Sequence, residues 1–125
     1  MNRPSPAFEP PGYAQLIKVA GPRHLLFLAG PLAYDREGRP VHPGDFQGQA
    51  RVVFGAIKAH LEAAGGTLGD VVKLTSFVTD IRHRADFRVV RDEFLGQKGP
   101  ASTMVQVVAL AYPECMIEVE ATAVL

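Results

Sequence analysis

The sequence predicts an α+β domain, with two helices packed on one face of a mainly antiparallel sheet, and three observations predict it. An apolar stripe at helical spacing runs from Phe46 to Ala64. Separate segments rich in β-branched residues lie at Val71–Thr79 and Met116–Val124. The element order reads ββαβαββ, without the strict βα alternation of a doubly wound parallel sheet.

In chain order, residues 1–12 hold four prolines and little to bury, which predicts an extended leader. Tyr13–Val19 reads as a short strand. His24–Ala29 (HLLFLA) is too short for a helix by itself, is bounded by Pro22 and Gly30, and reads as a buried strand. The stretch GPLAYDREGRPVHPGD is broken by Gly, Pro and Asp, and predicts a loop with a small hairpin.

The first helix has a start signal at Asp45, an N-cap residue, and a stop signal at Gly65-Gly66. Between them Phe46, Ala50, Val53, Phe54, Ile57, Leu61 and Ala64 form one face, with Arg51, Lys58 and Glu62 off it. Val71–Thr79 (VVKLTSFVT) follows as a strand. Arg84–Leu95 is the second helix, its apolar face made by Phe87, Val90 and Phe94. Strands at Ser102–Val108 and Met116–Val124 complete one domain over residues 1–125. The uncovered sheet face carries mixed side chains, so a symmetric oligomer that closes it is expected.

Bulk properties narrow the function. At 125 residues, with 47% hydrophobic and 21% charged, the chain is an ordinary globular domain. Thirteen Lys+Arg balance thirteen Asp+Glu, so no net field draws nucleic acid or an anionic membrane. The single cysteine, Cys115, has no internal disulfide partner. With no apolar leader and no segment near the length of a membrane span, the expectation is a cytoplasmic protein.

Glu118 and Glu120 lie two apart in the last strand and so share one face, about 7 Å apart. Two carboxylates on one face suit acid/base chemistry. The plainer reading has Ile117, Val119 and Ala121 facing the core while the glutamates face water. Arg82, His83, Arg84, Arg88 and Arg91 form the one basic cluster, and Arg91 lies nearest the apolar edge of its helix. Such a stripe either reaches a carboxylate at a subunit junction or is a solvated flank. The four histidines have no ligand spacing, and Cys115 has an acidic neighbour that does nothing to activate it. These residues taken by themselves leave the function open.

The order of motifs adds a resemblance. GYAQLIKV (Gly12–Val19), FLAGPLAYD (Phe27–Asp35), HLEAAGGTLGDVVKLTSFVTDI (His60–Ile81), DEFLG (Asp92–Gly96), GPASTMVQV (Gly99–Val107) and IEVEATAVL (Ile117–Leu125) occur in one chain. Together they resemble the RidA/YjgF family, also called L-PSP endoribonuclease or translation inhibitor, from about Gly12 to the C-terminus. The resemblance implies a chorismate-mutase-like fold assembled as a homotrimer, with a pocket at each subunit junction. It also implies cofactor-free hydrolysis of reactive enamines and imines, such as 2-aminoacrylate, to 2-oxo acids and ammonia.

Carried over by motif, Tyr13 matches a pocket tyrosine, although the family's preceding Pro is absent and Ala14 replaces its Ser. Gly30 matches a pocket glycine, flanked here by Ala29 and Pro31. Glu118 matches the glutamate that places the attacking water, and Glu120 a second, more structural one. Archetypal members read PARS where this chain reads PAST, so Ser102 stands where a carboxylate-binding arginine belongs. A charge-assisted bidentate contact contributes roughly 2–3 kcal/mol, which serine cannot supply. The family's helix asparagine aligns with Arg88, which makes Arg88 or Arg91 the expected source of the missing charge. The main chain of Ser102–Met104 and that of Gly30 are expected to orient a substrate. The resulting expectation is a homotrimer without cofactor or metal that binds a small carboxylate-bearing metabolite at its junctions. It either hydrolyses enamines or imines there or binds without catalysis.

Overall fold

The computed structural model describes residues 11–125; the expectation for the leader falls on residues 1–10, outside the described residues. Strand β1 (Leu25–Leu28) leads to helix α1 (Phe46–Ala63), strand β2 (Val71–Val78), helix α2 (Arg84–Leu95), strand β3 (Ala101–Gln106) and strand β4 (Ile117–Val124). The four strands form one sheet in the order β1-β4-β2-β3. β4 runs antiparallel to both neighbours, whereas β2 and β3 are parallel because α2 carries the chain back between them. The sheet is therefore mixed, with two of three pairings antiparallel.

The expected strand at Tyr13–Val19 does not form. That segment makes an isolated bridge, Ala14 to Ala101, with the Ala14 amide donating to the Pro100 carbonyl at 3.0 Å. Gly12 precedes it at φ 84°, a left-handed value that turns the chain before a regular ladder can start. The small hairpin forms as expected: Tyr34 bridges Pro40, and the Val41 amide donates to the Ala33 carbonyl.

Helix α1 starts where the Asp45 side chain accepts from the Gly48 amide at 2.9 Å. It stops in a Schellman turn: Gly65 adopts φ 86°, its amide donates to Glu62, and the Gly66 amide donates to Leu61. The stripe is buried through Phe46, Ala50, Val53, Phe54, Ile57 and Leu61, but Ala64 is exposed because the helix has ended. Gln49 is buried instead. Its amide nitrogen donates to the Glu114 carbonyl at 3.0 Å and its oxygen accepts from the Met116 amide at 2.8 Å. That side chain fixes the entry of β4.

Both helices cover one face of the sheet. Ile117, Val119, Ala121 and Ala123 of β4 and Leu74 and Val78 of β2 join Phe54, Ile57, Leu61, Phe87 and Val90 in a single core. Each fully buried large side chain contributes about 1.5–3 kcal/mol. The alternate residues of β4, Glu118, Glu120 and Thr122, point to the opposite, uncovered face. The strand expected to be buried at His24–Ala29 forms as β1 but is not buried: it is an edge strand. Leu25 and Phe27 are exposed on the face that no helix covers, Phe27 at 77%. Among the described residues no helix is long and apolar enough to cross a membrane.

Candidate functional site

Glu118 opens β4 on the uncovered face, and its main chain bridges Leu32. That bridge brings the segment after β1 across the start of β4, so Gly30 lies directly against the Glu118 side chain. A Cβ at position 30 would stand 2.5 Å from Glu118 Cγ and 2.6 Å from its Oε1. Any side chain there would displace the carboxylate. Burial first, and the neighbouring Glu120 charge second, push the Glu118 carboxyl above the ordinary glutamate value. A carboxylate raised this way is a stronger proton acceptor once ionised.

Tyr13 and Arg91 make a second group. Arg91 on α2 is only 6% exposed, and its guanidinium carbon sits 5.9 Å from the Tyr13 ring centre. Asp92 Oδ1 accepts from Arg91 Nε at 3.2 Å and from Nη2 at 3.0 Å. Gly12 leaves the space for that guanidinium, because a Cβ there would collide with Arg91 Nη2. Arg88 is different: its side chain is 55% exposed and its Nε lies 3.9 Å from Asp92 Oδ2. Asp92 thus holds Arg91 closely and Arg88 loosely.

Ser102 and Met104 lie on β3, at the sheet's edge. Ser102 is opposite Leu74 and Met104 opposite Ser76, so both side chains are on the helix-covered face, and Met104 packs against the core. Thr103 and Val105 take the other face, in rows with Thr75 and Glu120 and with Phe77 and Glu118. The chain therefore brings Gly30 to Glu118 and Tyr13 to Arg91. It leaves Glu118 on one face of the sheet and the side chains of Ser102, Met104 and Arg91 on the side of the helices.

Three supporting residues, Gly12, Asp92 and Gln49, were not singled out from the sequence. Gly12 carries a signal, since an isolated glycine beside a tyrosine marks close approach. Asp92 and Gln49 carry none, because their partners are set by tertiary contact. Cys115 is buried with its thiol donating to the Ala33 carbonyl at 3.6 Å, and burial first pushes its thiol upward, away from nucleophilic reactivity. Among the described residues no group of three or more His, Cys, Asp or Glu side chains is placed to hold a metal ion.

Comparison with known proteins agrees with this fold. Residues 5–125 match the family model described as endoribonuclease L-PSP. A RutC family protein of Pyrococcus horikoshii is 38% identical over 111 residues, covering 89% of this chain and 85% of that protein. A structure described as a protein of unknown function of the conserved Rid family, YyfB from Yersinia pestis, superposes with a TM-score of 0.81. It is 31% identical and covers 91% of this chain and 87% of that one. RidA from an Antarctic Psychrobacter gives a TM-score of 0.74 at 35% identity, covering 90% of this chain and 88% of that one. With the family matched over almost its whole length and the same mixed sheet under two helices, the chain belongs to the RidA/YjgF (endoribonuclease L-PSP) family.

Proposed function

We propose that this chain forms a homotrimer that binds a small carboxylate-bearing metabolite at its subunit junctions and hydrolyses reactive imines there. The observation that carries the reading is the Glu118 carboxyl, raised in pKa and pressed against Gly30, which has no side chain to displace it. The water adds to the electrophilic imine carbon while Glu118 takes one of its protons. Glu118 passes that proton to nitrogen to give a carbinolamine. It then takes the hydroxyl proton and delivers it to nitrogen as the C=O bond forms and the C–N bond breaks, so the products are a carbonyl compound and ammonia.

A ligand that touches Glu118 and is also clamped by Arg91 needs a second protomer. Glu118 faces away from the helices, whereas Arg91 rides on α2 on the other side of the sheet. On this reading Arg91 with Tyr13 takes the carboxylate in place of the arginine that Ser102 replaces. Arg88 is solvated and plays the smaller part. The main chain at Gly30 and at Ser102–Met104 orients the substrate. An RNA-cleaving reading has less support, because the net charge is zero and Arg82 and Arg88 face Asp80 and Asp92.

The second reading is a binding protein without catalysis, and Ser102 together with the engagement of Arg91 by Asp92 favours it. Ammonia release from imines generated in situ by an amino-acid oxidase separates the two. Acceleration by the wild type and its loss in Glu118→Gln support the hydrolase. No acceleration, with 2-oxo acid binding retained, leaves the binder. Light scattering at three times the 13.5 kDa protomer mass tests the trimer.

A further inference from the structure

A pair of stacked phenols stands apart from the groups at Glu118 and Arg91. Tyr34 belongs to the hairpin after β1, and Tyr112 to the loop that leads into β4. Their ring centres are 4.1 Å apart, with only 16° between the planes. Aromatic pairs ordinarily keep their centres about 4.5–7 Å apart, offset or edge to face. A hydrogen bond from the Tyr34 hydroxyl to that of Tyr112 sets the rings in the same sense and holds the Tyr34 phenol above its ordinary pKa. The ring carbons beside the two hydroxyls are thereby brought face to face.

Both rings are held from outside the pair. Tyr34 bridges Pro40, and the Asp35 carboxylate accepts from the Glu37 and Arg39 amides at 2.9 Å, which closes the hairpin. The Tyr112 carbonyl accepts from the Cys115 amide at 3.2 Å, and Gln49 anchors Glu114 and Met116 beyond it. The contact is made inside one chain, so it does not depend on which faces neighbouring copies cover.

A phenoxyl radical carries much of its spin on the carbons beside the oxygen, and those are the carbons that face each other here. We propose that Tyr34 and Tyr112 are an oxidative crosslinking site, joined as o,o′-dityrosine by a haem peroxidase acting with hydrogen peroxide. Each phenol gives up one electron and one proton, and the two radicals form one carbon–carbon bond. The hydrogen on each joined carbon then moves to the oxygen, which restores both phenols. Hydrogen peroxide takes up the two electrons and two protons and leaves as two waters. Proximity makes the coupling intramolecular. The bond staples the hairpin that follows Gly30 and Leu32 to the entry of β4, and it closes a long loop, which restrains the unfolded chain. The site is independent of the reading proposed for Glu118.

The test treats the purified, assembled protein with a haem peroxidase and hydrogen peroxide and reads dityrosine fluorescence, a denaturing gel and a tryptic mass map. The chain has three tyrosines and no tryptophan, so few side chains compete for the oxidation. The expected product runs as a single chain, is lighter by two hydrogens, and joins peptide 24–36 to peptide 99–125. Its urea midpoint should lie above that of untreated protein. Tyr34→Phe and Tyr112→Phe should each abolish the intrachain product. Absence of dityrosine in the wild type overturns the proposal, as does a main product that links two chains. Dityrosine within one chain of either Phe variant overturns it too, as does a bond from Tyr34 to Cys115 in place of Tyr112. A crosslinked chain no more stable than the untreated one removes the staple and with it the proposal. If one variant fails to fold, the other and the peptide map decide.

Discussion

Gly30 and Glu118 are in mutual contact: the carboxylate side chain occupies the volume that a Cβ at position 30 would need. Gly30→Ala should therefore move the carboxylate rather than unfold the protein, because the clash is with the Glu118 side chain from Cγ outward and not with backbone. Imine hydrolysis is expected to fall about 10–100-fold, on the scale of a misplaced catalytic group. Thermal unfolding by circular dichroism should shift by only a few degrees. Full activity in the alanine variant would remove Glu118 from the mechanism.

The raised pKa of Glu118 gives a pH signature. Its acid form is favoured in the folded protein, so the stability it contributes is complete below the ordinary glutamate value, about 4.3, and is lost as pH rises through the raised folded value. Glu118→Gln should therefore be more stable than wild type at pH 7, with the difference vanishing below about pH 4. Activity should run the other way, falling as pH drops through the raised value, because the proton acceptor must be ionised. Glu120→Gln should move that acid limb to lower pH by removing a like charge. Urea titrations and rate profiles from pH 4 to 8 check both.

Arg91 and Arg88 should separate by burial. Arg91→Ala removes a buried guanidinium that lies over Tyr13 and should weaken a 2-oxo acid ligand about 10- to 100-fold, one charge-assisted bidentate contact. Arg88→Ala removes a solvated cation and should change affinity less than about threefold. Equal effects, measured by titration calorimetry, would refute the assignment of the clamp to Arg91.

Two buried polar side chains should behave oppositely. Gln49→Leu strands the Glu114 carbonyl and the Met116 amide and should cost about 1–3 kcal/mol in urea unfolding. Ser76 has a buried hydroxyl without a hydrogen-bond partner among the described residues, so Ser76→Ala should be neutral or stabilising by up to about 1 kcal/mol.

Much of this architecture was legible residue by residue. The α1 stripe from Phe46 to Leu61, its cap at Asp45 and its stop at Gly65 are local signals, and local chemistry sets them. The alternation Ile117, Val119, Ala121 placed Glu118 and Glu120 on a common outer face, because a strand's period of two leaves no other arrangement. The Tyr13–Val19 segment misled because β propensity says nothing about whether a partner strand is within reach.

The sequence by itself determined the two helices, the four regular strands and the motifs that carry the family resemblance, since each depends on spacing along the chain. Tertiary structure alone decided that β2 and β3 run parallel, that Gly30 touches Glu118, and that Arg91 rather than Arg88 is buried against Tyr13. Those relations join residues distant in sequence, and only the register of the sheet and the seat of α2 on it fix which side chains meet.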